Sequence, residues 1–217
     1  NPSPDYLRRV ANVFADNGSG VRGDLKSVVR AILTDPEARN APTGSFGKLR
    51  EPMLRVTALW RAFHASAQSG HFAYLSERDL GQAPLRAESV FNFFLPDYRA
   101  PGEVQQSNLY SPEFQIQSDS QGLFIVNALQ RMTREQYRGA AGVDADTITI
   151  DVSREKTLAP DAFADRLNTL LLYGRMTAAM RSTLLAYLNS VPAGDGTQRA
   201  VDAIFLVVSS PDFAVQK

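Results

Sequence analysis

One apolar period dominates the chain. Side chains that avoid water return every three or four positions at Tyr6, Leu7, Val10, Val13 and Phe14, and again at Leu25, Val28, Val29, Ile32 and Leu33. The same spacing carries Met53, Val56, Trp60 and Phe63, then Ile125, Val126, Leu129 and Met132. It resumes with Phe163, Leu167, Leu170 and Leu171, with Met180, Leu184, Tyr187 and Leu188, and with Val201, Ile204, Phe205 and Val208. A helix turns once in about 3.6 residues, so each set forms one stripe that must be covered. Alternation with period two is confined to "TITIDV" at 147–152, and one short strand cannot make a sheet. The pattern predicts an all-α fold: an irregular multi-helix bundle with long loops and at most one minor strand or hairpin, in a single domain over 1–217.

Local punctuation supports the helices. "SPDY" at Ser3, "DPEA" at Asp35, "SPEF" at Ser111 and "SPDF" at Ser210 each offer a capping side chain, a proline and an acid. That order suits a helix start, because proline lacks the N–H that the first turn leaves unbonded and the acid faces the positive end of the helix dipole. Two of these starts, in "AILTDPEAR" and "LVVSSPDFA", follow an apolar helical stretch. "SDSQ" at 118–121 has the form of a capping box, Thr177 can cap a helix after the stop at Gly174, and Pro52 suits a first turn. "DNGSGVRGD" at 16–24 reads as a C-cap and an N-cap joined by a turn; it lacks the alternating ligands of a calcium loop. "EFQIQ" at 113–117 has an extended look, and 139–147 reads as an exposed loop. Arg55 and Arg61 read as the solvated face of their helix.

Composition narrows the chemistry. The 217 residues carry 23 basic and 23 acidic side chains, so no global field draws in nucleic acid or an acidic membrane. The absence of cysteine removes disulfides, thiolate metal sites and cysteine nucleophiles. No apolar run approaches the roughly 20 residues that cross a bilayer, so no membrane span is expected. The opening "NPSPDYLRRV" has neither methionine nor a signal-peptide core, which reads as a processed or excised piece. Of the two histidines, His64 and His71, neither has a metal-ligand spacing, and both read as structural or surface groups. "GSFGK" at 44–48 lacks the spacing of a phosphate loop. Asp144 with Asp146, and Asp161 with Asp165, fit solvated loops and helix starts. No cofactor, metal or catalytic residue is assigned within the chain.

One stretch resists the helical frame. "SVFNFFLPDYRAPGEV" at 89–104 sets phenylalanines and a tyrosine beside Asn92, Asp97, Arg99 and two prolines. Read as a helix over 89–95, it would put Val90, Phe93 and Phe94 on one side and Phe91 and Leu95 on another, which favours a core plug over a ligand platform. A buried Asn92 would then need a partner, and Arg50 with Glu51 could supply one. The residues assigned to a candidate binding surface are Arg50, Glu51, Phe91, Asn92, Asp97, Tyr98 and Arg99.

This stretch, together with "RGDLKSVVRAILTDPEAR", "GKLREPMLRVTALWRAF", "SPEFQIQ" and "LVVSSPDFAVQ", resembles the C-terminal half of the bacterial family catalogued as domain of unknown function 1800. The motifs follow in the family's order over nearly the whole chain. The resemblance implies a longer parent with an N-terminal half and a signal peptide, hence a protein exported to the periplasm or beyond. It supplies no activity and no catalytic residues. The expected role is binding or structural support, with the N-terminal half and an envelope or extracellular component as expected partners; the alternative is part of a hydrolase of extracellular polymer whose reactive groups lie in that half.

Overall fold

The computed structural model describes residues 1–40, 46–67, 70, 72, 77–134, 137–138 and 147–216. The chain divides into two compact units, one over Asn1–Gly47 and the other over Lys48–Gln216.

The first unit is a helical hairpin of α1 (Pro4–Ala15) and α2 (Leu25–Thr34), followed by the single turn α3 (Pro36–Arg39). Ser3 caps α1 by accepting the Tyr6 N–H, and Asp24 caps α2 by accepting from Lys26 and Ser27. The turn between them is built by side chains. Asp16 accepts the N–H groups of Gly18 and Gly20, Asn17 accepts those of Ser19 and Val21, and Asn17 donates to Asp24 at 2.8 Å. These bonds occupy the acidic groups of "DNGSGVRGD" as caps, in line with the turn reading. Polar clasps also lock the hairpin. Arg9 reaches Asp35 through two bonds of 2.7 Å, Ser3 donates to Glu37, and the Tyr6 hydroxyl donates to the Ile32 carbonyl at 3.0 Å.

The second unit holds the core. In order it contains β1 (Lys48–Leu49), α4 (Pro52–Ala62), β2 (Ser66–Ala67), α5 (Glu77–Leu80), α6 (Glu103–Gln106) and α7 (Asp119–Arg134). There follow β3 (Tyr137–Arg138), β4 (Thr147–Thr149), α8 (Pro160–Leu172), α9 (Ala178–Ser190), α10 (Gly196–Val208), α11 (Pro211–Ala214) and β5 (Val215–Gln216), with short 3-10 turns at Pro112–Ile116 and Glu155–Thr157. The fold is mainly helical, as the apolar period predicts. Its core joins the stripes of α4, α7, α8, α9 and α10, with Phe63, Phe163 and Phe213 fully enclosed. The pattern "TITIDV" does supply a strand, β4, and β4 lies between β2 and β3 in a three-stranded antiparallel sheet. A second pair, β1 with β5, sets Leu49 opposite Val215. The described chain thus carries two small sheets where the sequence marked one strand; two-residue strands are too short to show a period.

Helix starts follow the proline device. Ser3, Asp35 and Ser210 each accept an N–H of the first turn, and the "DPEA" and "SPDF" segments alike open a single turn after a longer helix. At the fourth, Ser111 spends its hydroxyl elsewhere, accepting the Ala100 N–H at 2.7 Å. Its proline still sets the backbone, so Pro112–Ile116 coils into a 3-10 turn where "EFQIQ" suggested an extended segment. Ser118 accepts from Gln121 ahead of α7, and Thr177 accepts from Met180 ahead of α9. Arg61 is exposed, whereas Arg55, expected on a solvated face, is buried. Asp161 and Asp165 both pair with Arg181. His71 and the loop 139–146, with Asp144 and Asp146, lie outside the described residues.

Two close approaches position α10. A methyl group placed on Gly196 would meet the Lys156 carbonyl oxygen at 2.7 Å, and Arg199 donates to the Leu158 carbonyl at 2.9 Å. Beside them the buried Glu155 is paired with Arg166. Gly196→Ala is expected to lower stability by about 1–3 kcal/mol, because a backbone atom has to retreat; urea melts check this, and a variant as stable as the parent would remove the close approach.

The hairpin should be sensitive to acid. Asp24, held first by the Asn17 and then by the Ser27 side chain, is lowered to about 2. Asp35 is lowered chiefly by Arg9, and Glu37 by the Ser3 hydroxyl. Carboxylates depressed in the folded state lend stability above their unfolded value and lose it as the pH falls through the folded one. Acidification from near 3.8 to about 2 should therefore collapse the amide signals of Lys26, Ser27 and Glu37 in NMR spectra, and signals constant to pH 2 would contradict these clasps.

Candidate functional site

The aromatic stretch is a surface loop, not a plug. Residues 89–95 form turns, with Ser89 bridged to Asn92 and its hydroxyl accepting the Phe91 N–H at 3.1 Å. Val90 is 95% exposed, Phe91 57% and Leu95 52%. The helix expected from apolar spacing fails for local reasons. Ser89 offers the backbone a competing hydrogen bond, Asn92 takes a left-handed φ of 70°, and Pro96 closes the segment. Phe93 and Phe94 are half-buried and supply the inner side of the loop.

What holds the loop is a polar knot at the start of α4. Glu51 occupies the N-cap position there but makes no capping bond of its own. Gln82 replaces it. This side chain is 0% exposed; its carbonyl accepts the Met53 N–H at 3.2 Å and its amide donates to Glu51 at 2.6 Å. The same Glu51 oxygen accepts from the Asn92 side chain at 3.4 Å. A carboxylate at this end of a helix is favoured by the dipole, and here it also ties two loop positions to the core. Further along, Gln115 accepts the Leu95 N–H at 2.7 Å, Ser111 donates its N–H to the Tyr98 carbonyl at 2.8 Å, and Lys48 approaches Glu113 at 4.0 Å. Arg99 bonds Asn108 and lies 4.5 Å over the Tyr110 ring.

The candidate residues therefore separate. Glu51 and Asn92 come together as anticipated, and Phe91 stands outside them on the exposed loop. Tyr98 and Arg99 are half-buried in the loop's second turn, and Asp97 is exposed beside them. Arg50 does not join Asn92: its guanidinium turns to the rings of Phe213, at 4.6 Å, and Tyr173, at 5.7 Å. Gln82 was missed by sequence reasoning, since "GQAPLR" carries no motif; a glutamine between an apolar turn and a proline loop was the one available sign.

A concave site lies elsewhere on the unit. Thr57, Trp60, Arg61, His64, Ala65 and Phe72 line a pocket of about 520 Å³, with the Trp60 and Phe72 rings 5.3 Å apart. Among the described residues no three His, Asp or Glu side chains come together in a metal-binding arrangement, and no helix is long and apolar enough to cross a membrane.

A mainly helical unit that presents an apolar loop on a polar knot is the class this geometry defines. The chain belongs to the family described as protein of unknown function (DUF1800), whose model matches residues 1–215. Comparisons with curated proteins and with solved structures gave no match.

The knot and the loop tip should respond oppositely to truncation. Gln82→Ala leaves the Met53 N–H and the Glu51 carboxylate without a buried partner and should cost about 2–3 kcal/mol, whereas Phe91→Ala should stay within about 0.5 kcal/mol of the parent. Thermal melts of both variants decide it: a strongly destabilised Phe91→Ala would restore the plug.

Proposed function

We propose that this chain is a binding module of an exported bacterial protein, and that residues 89–99 form its recognition surface. One observation carries the reading: Val90, Phe91 and Leu95 face water while the loop is held in place, by the Asn92 side chain on Glu51, itself bonded to the buried Gln82, and by the Leu95 N–H on Gln115. Exposing Val90 and Phe91 has no value for folding, because each would gain about 1.5–3 kcal/mol from burial. The nearby Leu85 repeats the pattern, fully exposed at a left-handed φ of 60°, a conformation that costs a non-glycine residue about 1–2 kcal/mol. A pre-fastened apolar loop lowers the ordering cost of association, which is what a binding surface requires.

The partner class is an envelope or extracellular component, and the N-terminal half of a longer chain is the second partner. Export and that half rest on the family resemblance. In support, the helices of the hairpin are strongly amphipathic and yet bury no side chain. The hydrolase alternative gains no specific observation.

Thermal unfolding against polysaccharides and peptidoglycan fragments tests the reading, with Phe91→Ala, Val90→Asp and Tyr98→Ala as variants. A ligand that binds only the folded state raises the melting temperature. The expected outcome is a rise that the loop variants lose while their unliganded melting temperatures stay at the parent value. A ligand whose effect survives all three substitutions would move recognition away from the loop.

A further inference from the structure

Among the described residues Arg50 is a buried cation without an ion-pair partner. Its side chain is 6% exposed, and its Nη1 atom has no hydrogen-bond partner among the described residues. The residue sits between β1 and α4, where its N–H donates to the Ala214 carbonyl at 2.7 Å and so fixes the start of the side chain against α11. From there the guanidinium lies over the rings of Phe213, at 4.6 Å, and Tyr173, at 5.7 Å. Aromatic faces offset part of the lost hydration, but they accept no hydrogen bond in the guanidinium plane.

The surroundings add positive charge. Arg55, 4% exposed, donates through Nε to the Arg50 carbonyl at 2.9 Å and through Nη2 to Gln117 at 3.1 Å. Both acceptors are neutral, and no ion pair joins Arg50 or Arg55 to a carboxylate among the described residues. Arg175 also repels Arg50. Burial, reinforced by Arg50, brings Arg55 down to about 10, and burial likewise lowers Arg50. Two guanidinium groups taken out of water on neighbouring residues that repel one another are unfavourable unless an anion offsets them. Arginine remains protonated at neutral pH, so neutralisation offers no escape.

We propose that Arg50, backed by Arg55, is the anchor of an oxyanion site that takes a carboxylate or phosphate group from outside the described chain. The planar fork of Arg50 matches either group, and its unpartnered Nη1 is a donor still to be engaged. Tyr173 is the outer wall. It is 63% exposed and sits at a left-handed φ of 55° at the end of α8. Of the two rings over the guanidinium, it is the one in contact with solvent, whereas Phe213 is enclosed.

The site is independent of the loop reading, and its test uses different probes. At constant ionic strength set with chloride, the chain is titrated with inorganic phosphate and, separately, with acetate. Two signals are followed: the melting temperature and the side-chain Nε–H resonances of Arg50 and Arg55. The expected result is a saturable shift of both resonances with at least one anion. With it comes a melting temperature raised by about 5 °C near a hundredfold excess over Kd. Which anion acts separates phosphate from carboxylate chemistry. Arg50→Met should abolish the rise, and Arg50→Lys, which keeps the charge but loses the fork, should weaken it about tenfold or more. If Arg50→Met does not fold, the resonances of the parent chain still decide. Unmoved resonances with both anions, or a rise that persists in Arg50→Lys at parental affinity, would overturn the proposal.

Discussion

The bond between Gln82 and Glu51 connects the parts that matter most in the second unit. A helix leaves its first N–H groups unbonded, and α4 begins at a proline whose preceding residue makes no capping bond. Gln82, twenty-nine residues away from the Met53 N–H it accepts, supplies the missing acceptor and with its other end holds the Glu51 carboxylate. One side chain thereby joins a helix start, a charged group and a long loop. Everything presented by residues 89–99 depends on that knot, because turns of this kind have few internal contacts to define them.

The fold was legible where the sequence repeats itself. Stripes such as Phe163, Leu167 and Leu171, or Leu184 and Leu188, mark buried faces, and Ser3, Asp24, Asp35, Thr177 and Ser210 all cap the helices they precede. The small sheets were hidden because strands of two residues show no period. Arg55 was misplaced because a charged residue on a helix is ordinarily solvated, and nothing local says that Gln117 will come to meet it.

The candidate site was legible only in part. Glu51 and Asn92 could be paired by chemistry alone, but the loop's orientation could not be read from apolar content. Phe91 and Phe93 differ little as residues, yet one is exposed and the other half-buried, and the difference is set by a left-handed turn at Asn92 between them. Arg50 and Glu51 are neighbours in sequence and serve opposite sides: one is tied to the loop, the other is stacked on an aromatic from the far end of the chain. A strand exit followed at once by a helix start sends successive side chains in different directions, and sequence proximity then says little about shared surroundings.

The pairing of β1 with β5 closes the second unit on itself. Lys48 lies opposite Gln216 and Leu49 opposite Val215, so the segment where the unit begins and the segment where it ends run side by side in opposite directions. Tension applied to both ends would meet this short ladder first and peel it one bond at a time, long before it loaded the helices. The same closure brings whatever is joined before Lys48 and whatever is joined after Gln216 out at one pole, so the helical body could be carried as a side branch on a longer chain.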